Sequence, residues 1–155
     1  MYEEAFEGIK FTNGEIAEMF GKTFEVPSDQ NSCGAVVIKD ISVFSYCEHH
    51  MALMYDMKVD VAYIPRGKVL GLSKIARICD MAAKRLQLQE RLGRDIAEII
   101  SLAASSPDVG VRIEGCHSCM TSRGIKNVSS KTITKNYFGA FKDDVSLQNL
   151  LGDRV

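Results

Sequence analysis

Val109-Gly110-Val111-Arg112-Ile113-Glu114-Gly115-Cys116-His117-Ser118-Cys119 alternates with a period of two. Val109, Val111 and Ile113 share one face of a strand with His117 and Cys119, while Arg112 and Glu114 point the other way. Two residues apart on one face is a spacing of about 7 Å, which suits one metal ligand and one neighbour over the same pocket.

Upstream of this strand the period is helical. Ile75, Ile78, Cys79, Ala82, Ala83 and Leu86 form one amphipathic face behind Ser73 as N-cap. Leu92, Ile96, Ile99, Ile100 and Ala103 form a second, ending at Ser105-Ser106-Pro107. Two strands come earlier. Val36-Val37-Ile38, then Ile41, Val43 and Ser45, alternate toward Cys47. Met57, Val59, Val61 and Tyr63 alternate with Lys58 and Asp60, and Pro65-Arg66-Gly67 closes that run. Beyond Gly124, the span from Ile125 to Phe141 carries Thr132-Ile133-Thr134 and makes a fourth strand. The order ββααββ predicts an α+β domain, a four-stranded antiparallel sheet with two helices on one side. It is placed at residues 34–155, after a short N-terminal extension at residues 1–33. There Asn13 is expected to cap a helix from Gly14 to Phe20, with Ile16, Met19 and Phe20 on one face, and Glu25 to Ser32 reads as a loop.

Composition excludes several classes. Nineteen basic and 20 acidic residues, without a basic run or tail, argue against a nucleic-acid partner. The acidic start Met1-Tyr2-Glu3-Glu4-Ala5 is no secretory signal, and no stretch approaches ~18 consecutive apolar residues, so no membrane span is expected. Five cysteines in such a chain read as reduced cytoplasmic thiols, some of them metal ligands.

All three histidines lie in short motifs with cysteine: Cys47-Glu48-His49-His50 and Cys116-His117-Ser118-Cys119. Thiolate and imidazole together are the ligand set of zinc. Cys47 and His50 would face opposite sides of a regular strand, so the first motif is expected in the bend of a hairpin, with His49 turned differently from His50. Cys47, His50 and Cys119 give Zn2+ three protein ligands and leave one position for water, the arrangement of a catalytic zinc. His49 and His117 are then free for proton transfer. A closed structural site with Cys116 or His117 as fourth ligand is the alternative; Cys116 has the wrong strand parity for it. Ser73-Lys74-Ile75-Ala76-Arg77 at a helix start and Ser122-Arg123-Gly124-Ile125-Lys126 after the second motif point to a phosphorylated substrate. Gln89-Glu90 offers an amide and a carboxylate, and a carboxylate can accept two N–H bonds from a purine's amidine edge.

Several of these motifs, in this order, resemble one known family. Cys47-Glu48-His49-His50, Val61-Ala62-Tyr63-Ile64-Pro65, Gly71-Leu72-Ser73-Lys74-Ile75-Ala76-Arg77, Gln87-Leu88-Gln89-Glu90-Arg91-Leu92, His117-Ser118-Cys119 and Arg123-Gly124 are similar to the successive motifs of GTP cyclohydrolase I. Thr132-Ile133-Thr134 and Gly139-Ala140-Phe141 resemble its tail. The match is collinear over about residues 35–142.

The resemblance implies zinc ligands Cys47, His50 and Cys119, and proton transfer by His49 and His117. It implies purine recognition by Gln89 and Glu90, with ribose and triphosphate held by Ser73, Lys74, Arg77 and Arg123. The reaction it implies is attack of a zinc-activated water at C8 of the guanine of GTP, ring opening, loss of formate and reclosure to 7,8-dihydroneopterin triphosphate. The implied fold is the tunnelling fold. Sheets join there into a five-membered homo-oligomeric ring, two rings stack into a decamer, and the sites lie between subunits. Three departures from the family pattern stand out. The N-terminal part is short, Thr12-Asn13-Gly14-Glu15 stands where the family has Thr-Pro-x-Arg, and Asp56-Met57-Lys58 lengthens the turn after His50 by one residue. Two other readings share the motifs: a non-catalytic tunnelling-fold protein binding zinc or a purine, and a cyclohydrolase that takes another purine nucleotide or stops at the formamide. Retention of both His49 and His117 favours the enzyme.

Overall fold

A computed structural model of the chain describes residues 1–26 and 34–152. The chain runs through α1 (Tyr2–Ala5), a 3-10 turn (Glu7–Lys10), α2 (Asn13–Phe20), β1 (Thr23–Glu25), β2 (Val36–Cys47) and β3 (Leu53–Tyr63). It continues through β4 (Lys68–Leu70), α3 (Leu72–Ala83), β5 (Leu86–Gln87), α4 (Gln89–Ala104), β6 (Val109–His117) and α5 (Ser118–Thr121). It closes with β7 (Thr132–Phe138), a second 3-10 turn (Gly139–Lys142) and α6 (Val145–Asn149). Most of the expected loop at 25–32 lies outside the described residues.

The main sheet has the order β5-β2-β3-β6-β7. Its four long strands are antiparallel neighbours, as the ββααββ pattern predicts. Two additions were not expected. β5 extends the sheet by a two-residue parallel pairing with the end of β2, and β1 pairs with β4 as a separate ribbon. Helices α3 and α4 cover one face of the sheet, and α2 lies against both. Ile75, Ile78, Ile96, Ile99 and Ile100 are fully buried there against Val59, Val61, Val111 and Ile113. Each such side chain stabilises the fold by about 1.5–3 kcal/mol.

Two bulges keep the apolar parity. Ile38 and Ile41 are three apart yet both pack on the core, because register slips between them and Asp40 takes φ 64°. The Asp40 amide donates to Asp60 Oδ1 at 2.9 Å. In β3 the register with β6 slips between Tyr55 and Lys58, where Asp56 has φ 48°. Met54 and Met57 therefore both reach the core. Asp56-Met57-Lys58, expected to lengthen the turn after His50, lies inside the strand.

Other local expectations need correction. Thr12, not Asn13, caps α2: Thr12 Oγ1 accepts from the Glu15 amide while the Glu15 carboxylate accepts from the Thr12 amide. Ile16 and Ala17 are its buried residues, and Met19 is exposed. Gly71, not Ser73, occupies the N-cap of α3, and Leu86 belongs to β5 because α3 stops at Ala83. On the outer face of the sheet Arg112 is as buried as the core, 3.6 Å from Asp60 and 3.0 Å from Glu114.

Candidate active site

Cys47 ends β2, and the next five residues fold back as a turn in which the Met51 amide donates to the Cys47 carbonyl at 2.8 Å and the Cys47 amide to the Ala52 carbonyl at 2.8 Å. In such a helix-like turn residues three apart come to one side. That is why Cys47 and His50, opposed on a straight strand, converge. The His49 and His50 rings are 6.2 Å apart at 83° to one another. Cys119 arrives differently from the sequence expectation. β6 stops at His117, and Ser118–Thr121 forms a single helical turn, with Ser122 donating to the Ser118 carbonyl at 2.9 Å. Cys119 is thus carried on α5, not on the strand face of His117. The donor atoms of Cys47, His50 and Cys119 all lie within 4.8 Å of one another, Cys47 buried, Cys119 half-buried and His50 exposed. Two thiolates and an imidazole at that separation fit a tetrahedral ion such as zinc, with one position left over. Cys116 pairs across from Tyr55 and is not part of the cluster.

His117 stands at the end of β6 beside the start of α4. Gln89, buried there, donates from Nε2 to the carbonyls of Ile113 at 3.1 Å and Thr132 at 2.9 Å. With both amide hydrogens spent on carbonyls, its oxygen accepts from His117 Nε2 at 2.7 Å, which puts the proton on that nitrogen of the neutral ring. Burial lowers the His117 pKa from the ordinary imidazole value, opposed by the charge of Glu90. Glu90 is exposed in the first turn of α4 and borders a recess of about 490 Å3 with Leu88, Arg91, Arg94 and Asn136. Arg123 is exposed in the turn that follows α5.

Ser73, Lys74 and Arg77 are not brought to this cluster. They occupy the first turns of α3, whose far end meets β2 where Ser45 donates to the Ala83 carbonyl at 2.7 Å. Ser73 lies ten residues and Arg77 six residues before Ala83, about 15 and 9 Å back along the helix from that end. Two residues that the motif reading passed over matter here. Arg91 bonds Glu48, inside the first cysteine motif, and anchors the turn to α4. The signal was present, since both charges sit within the motifs, but their partnership is a tertiary fact.

A two-layer sheet-and-helix fold with a Cys–His–Cys cluster at one strand end, a second histidine beside it, defines a tunnelling-fold protein with a candidate metal centre. The solved structure of the archaeosine synthase QueF-Like in the apo form covers 70% of this chain and 97% of its own, with TM-score 0.58 at 24% identity, a likeness of fold. The family model described as GTP cyclohydrolase I matches residues 1–154. GTP cyclohydrolase 1 of Ruminiclostridium cellulolyticum is 63% identical over 155 residues, 97% of this chain and 78% of that protein. GTP cyclohydrolase 1 of Clostridium botulinum is 56% identical over 153 residues, again 97% and 78%. The chain belongs to the GTP cyclohydrolase I family and is an enzyme. Among the described residues no helix is long and apolar enough to cross a membrane.

Proposed function

We propose that the chain uses this site to open the imidazole ring of GTP, with one water consumed and C8 leaving as formate, to give 7,8-dihydroneopterin triphosphate. The observation that carries the reading is the convergence of Cys47, His50 and Cys119 beside His117 and Glu90. Cys47, His50 and Cys119 would hold a Zn2+ ion, which when bound would polarise a water toward hydroxide at neutral pH. Glu90, exposed in the first turn of α4, accepts the N1–H and 2-amino hydrogens of guanine. Gln89 contributes to purine recognition by fixing His117 through Nε2, and the other ring nitrogen of His117, Nδ1, takes a proton from the attacking water and delivers it to the nitrogen released from C8. His49, exposed on the turn, moves protons in the later rearrangement of the ribose. Arg123 holds phosphate from the same chain.

Ser73, Lys74 and Arg77 bind the ribose and triphosphate from a neighbouring subunit. They stand on α3 back from the end that meets β2 near Cys47, and a site that uses both sets is built by sharing between copies. A homo-oligomeric ring, pentameric or stacked as a decamer, supplies that sharing and pairs the free edge of β7. Thiol ligands fit a reducing, cytoplasmic setting and a role in supplying pterins.

Incubation of the purified protein with GTP tests the reading, following formate and, after oxidation, pterin fluorescence. One formate per pterin, abolished by a chelator and restored by zinc, is the expected result. No formate refutes the activity. Formate without pterin refutes the product.

A further inference from the structure

A run of buried and half-buried polar contacts, ending in an exposed ion pair, leads from the N-terminal segment to the metal-bearing turn. The Arg85 guanidinium donates to the carbonyls of Gly8 at 3.1 Å and Phe11 at 3.0 Å, to Asn13 Oδ1 at 2.8 Å and to Asp95 Oδ2 at 3.1 Å. Asp95 Oδ2 also accepts from Gln87 Nε2 at 3.1 Å, and Gln87 Oε1 accepts from Arg91 Nε at 3.0 Å. Arg91 then donates from Nη2 to the Leu86 carbonyl at 2.7 Å and to the Glu48 carboxylate. The main chain repeats the link: the Glu48 amide donates to the Gln87 carbonyl at 2.9 Å, beside the Cys47 pairing with Gln87.

An ordinary exposed ion pair contributes little, because two flexible side chains must be held in one geometry. Arg91 differs. Its guanidinium is already fixed by Gln87 and Leu86, so Glu48 meets a donor whose ordering is complete before the pair forms. Glu48 lies between Cys47 and His49, so its bond to Arg91 ties the middle of the turn to α4. We propose that Glu48 and Arg91 are positioning residues: Arg91, oriented through Gln87 and Asp95, clamps the Cys47–His50 turn in its ligating shape. The clamp acts on metal retention, and it rests on the reading of Cys47, His50 and Cys119 as zinc ligands. Supports of this kind around metal ligands typically matter by 10–100-fold in affinity.

The test is zinc transfer from loaded protein to a chromophoric chelator, for the parent, Glu48→Gln, Arg91→Met, Arg91→Lys and the double variant Glu48→Gln/Arg91→Met. Glu48→Gln and Arg91→Met should release zinc about tenfold faster than the parent. The double variant should be no faster than the faster single, since both remove one contact. Arg91→Lys, which keeps the charge without the fork, should fall between. Thermal unfolding of the zinc-free forms should be unchanged by Glu48→Gln, an isosteric change at a half-exposed side chain, which carries the test if Arg91→Met folds poorly. A parent that binds no zinc overturns the metal reading itself. A parent that holds zinc, with Glu48→Gln and Arg91→Met releasing it at the parental rate, overturns the clamp alone.

Discussion

Replacing Gln89 by leucine keeps the side-chain volume and removes the amide that ties α4 to β6, β7 and His117. Gln89 is 1% exposed, so water cannot take over its bonds. Four are lost: Nε2 to the Ile113 and Thr132 carbonyls and, at the longest distance, to Thr134 Oγ1, and Oε1 to His117 Nε2, at 3.1, 2.9, 3.4 and 2.7 Å. A buried polar group deprived of its partner costs about 1–3 kcal/mol. The carbonyls retain a second lone pair each, and burying leucine in place of an amide offsets about 1.5–3 kcal/mol. The net loss should be about 2–4 kcal/mol in urea unfolding at fixed protein concentration. Activity should fall further than this suggests. His117 remains but is no longer held by its Nε2–H, so GTP turnover should drop at least about 10²-fold, the lower range for a lost positioned acid. Zinc content should stay at the parental level, because no ligand is touched. Turnover within a factor of two of the parent, in a variant that still folds, would refute the claim that Gln89 positions His117.

Arg112→Met should destabilise by about 3–5 kcal/mol, because it removes the buried guanidinium that faces the Asp60 and Glu114 carboxylates; urea unfolding showing a loss below about 1 kcal/mol would contradict this. Cys79 should be the least reactive of the described thiols toward an alkylating reagent under native conditions, since burial first and the Asp80 charge second push its pKa far up; labelling followed by peptide mass analysis checks it. His49→Ala and His117→Ala should each keep zinc while losing about 10²–10⁴-fold in formate release, measured on the same preparations. A metal-free His117→Ala would show that this ring ligates.

β6 was legible from its two-residue period, β2 and β3 from shorter alternating runs on either side of their bulges, β7 from Thr132-Ile133-Thr134, and both main helices because their buried residues repeat at three and four. What escaped was decided by contacts distant in sequence. The bulges at Asp40 and Asp56 depend on positive φ at an aspartate, and a strand pattern does not announce this. Leu86 continues the helical period of α3, yet the chain leaves the helix after Ala83 and Arg85 turns to the carbonyls of Gly8 and Phe11. Arg112 reads only as facing the other side of its strand until the pairing of β3 with β6 sets it directly opposite Asp60. At the site, the residue types identified the Cys–His–Cys set. The local path did not follow strand parity, since a turn brings in His50 and α5 brings in Cys119. Ser73, Lys74 and Arg77 were recognisable as an anion motif, but nothing in a linear sequence says that they stand in the first turns of α3, back from the end that meets β2 near Cys47.

X-ray absorption at the zinc edge of the purified protein is the most direct test of the metal centre. Two sulfur neighbours at about 2.3 Å, with the remaining shell of nitrogen or oxygen at about 2.0–2.1 Å, is the result this account predicts. Three or four sulfur neighbours would bring Cys116 into the shell and make the site a closed structural one, and a shell without sulfur would remove Cys47 and Cys119 from it. Either would contradict a centre built on Cys47, His50 and Cys119 with one position open to water.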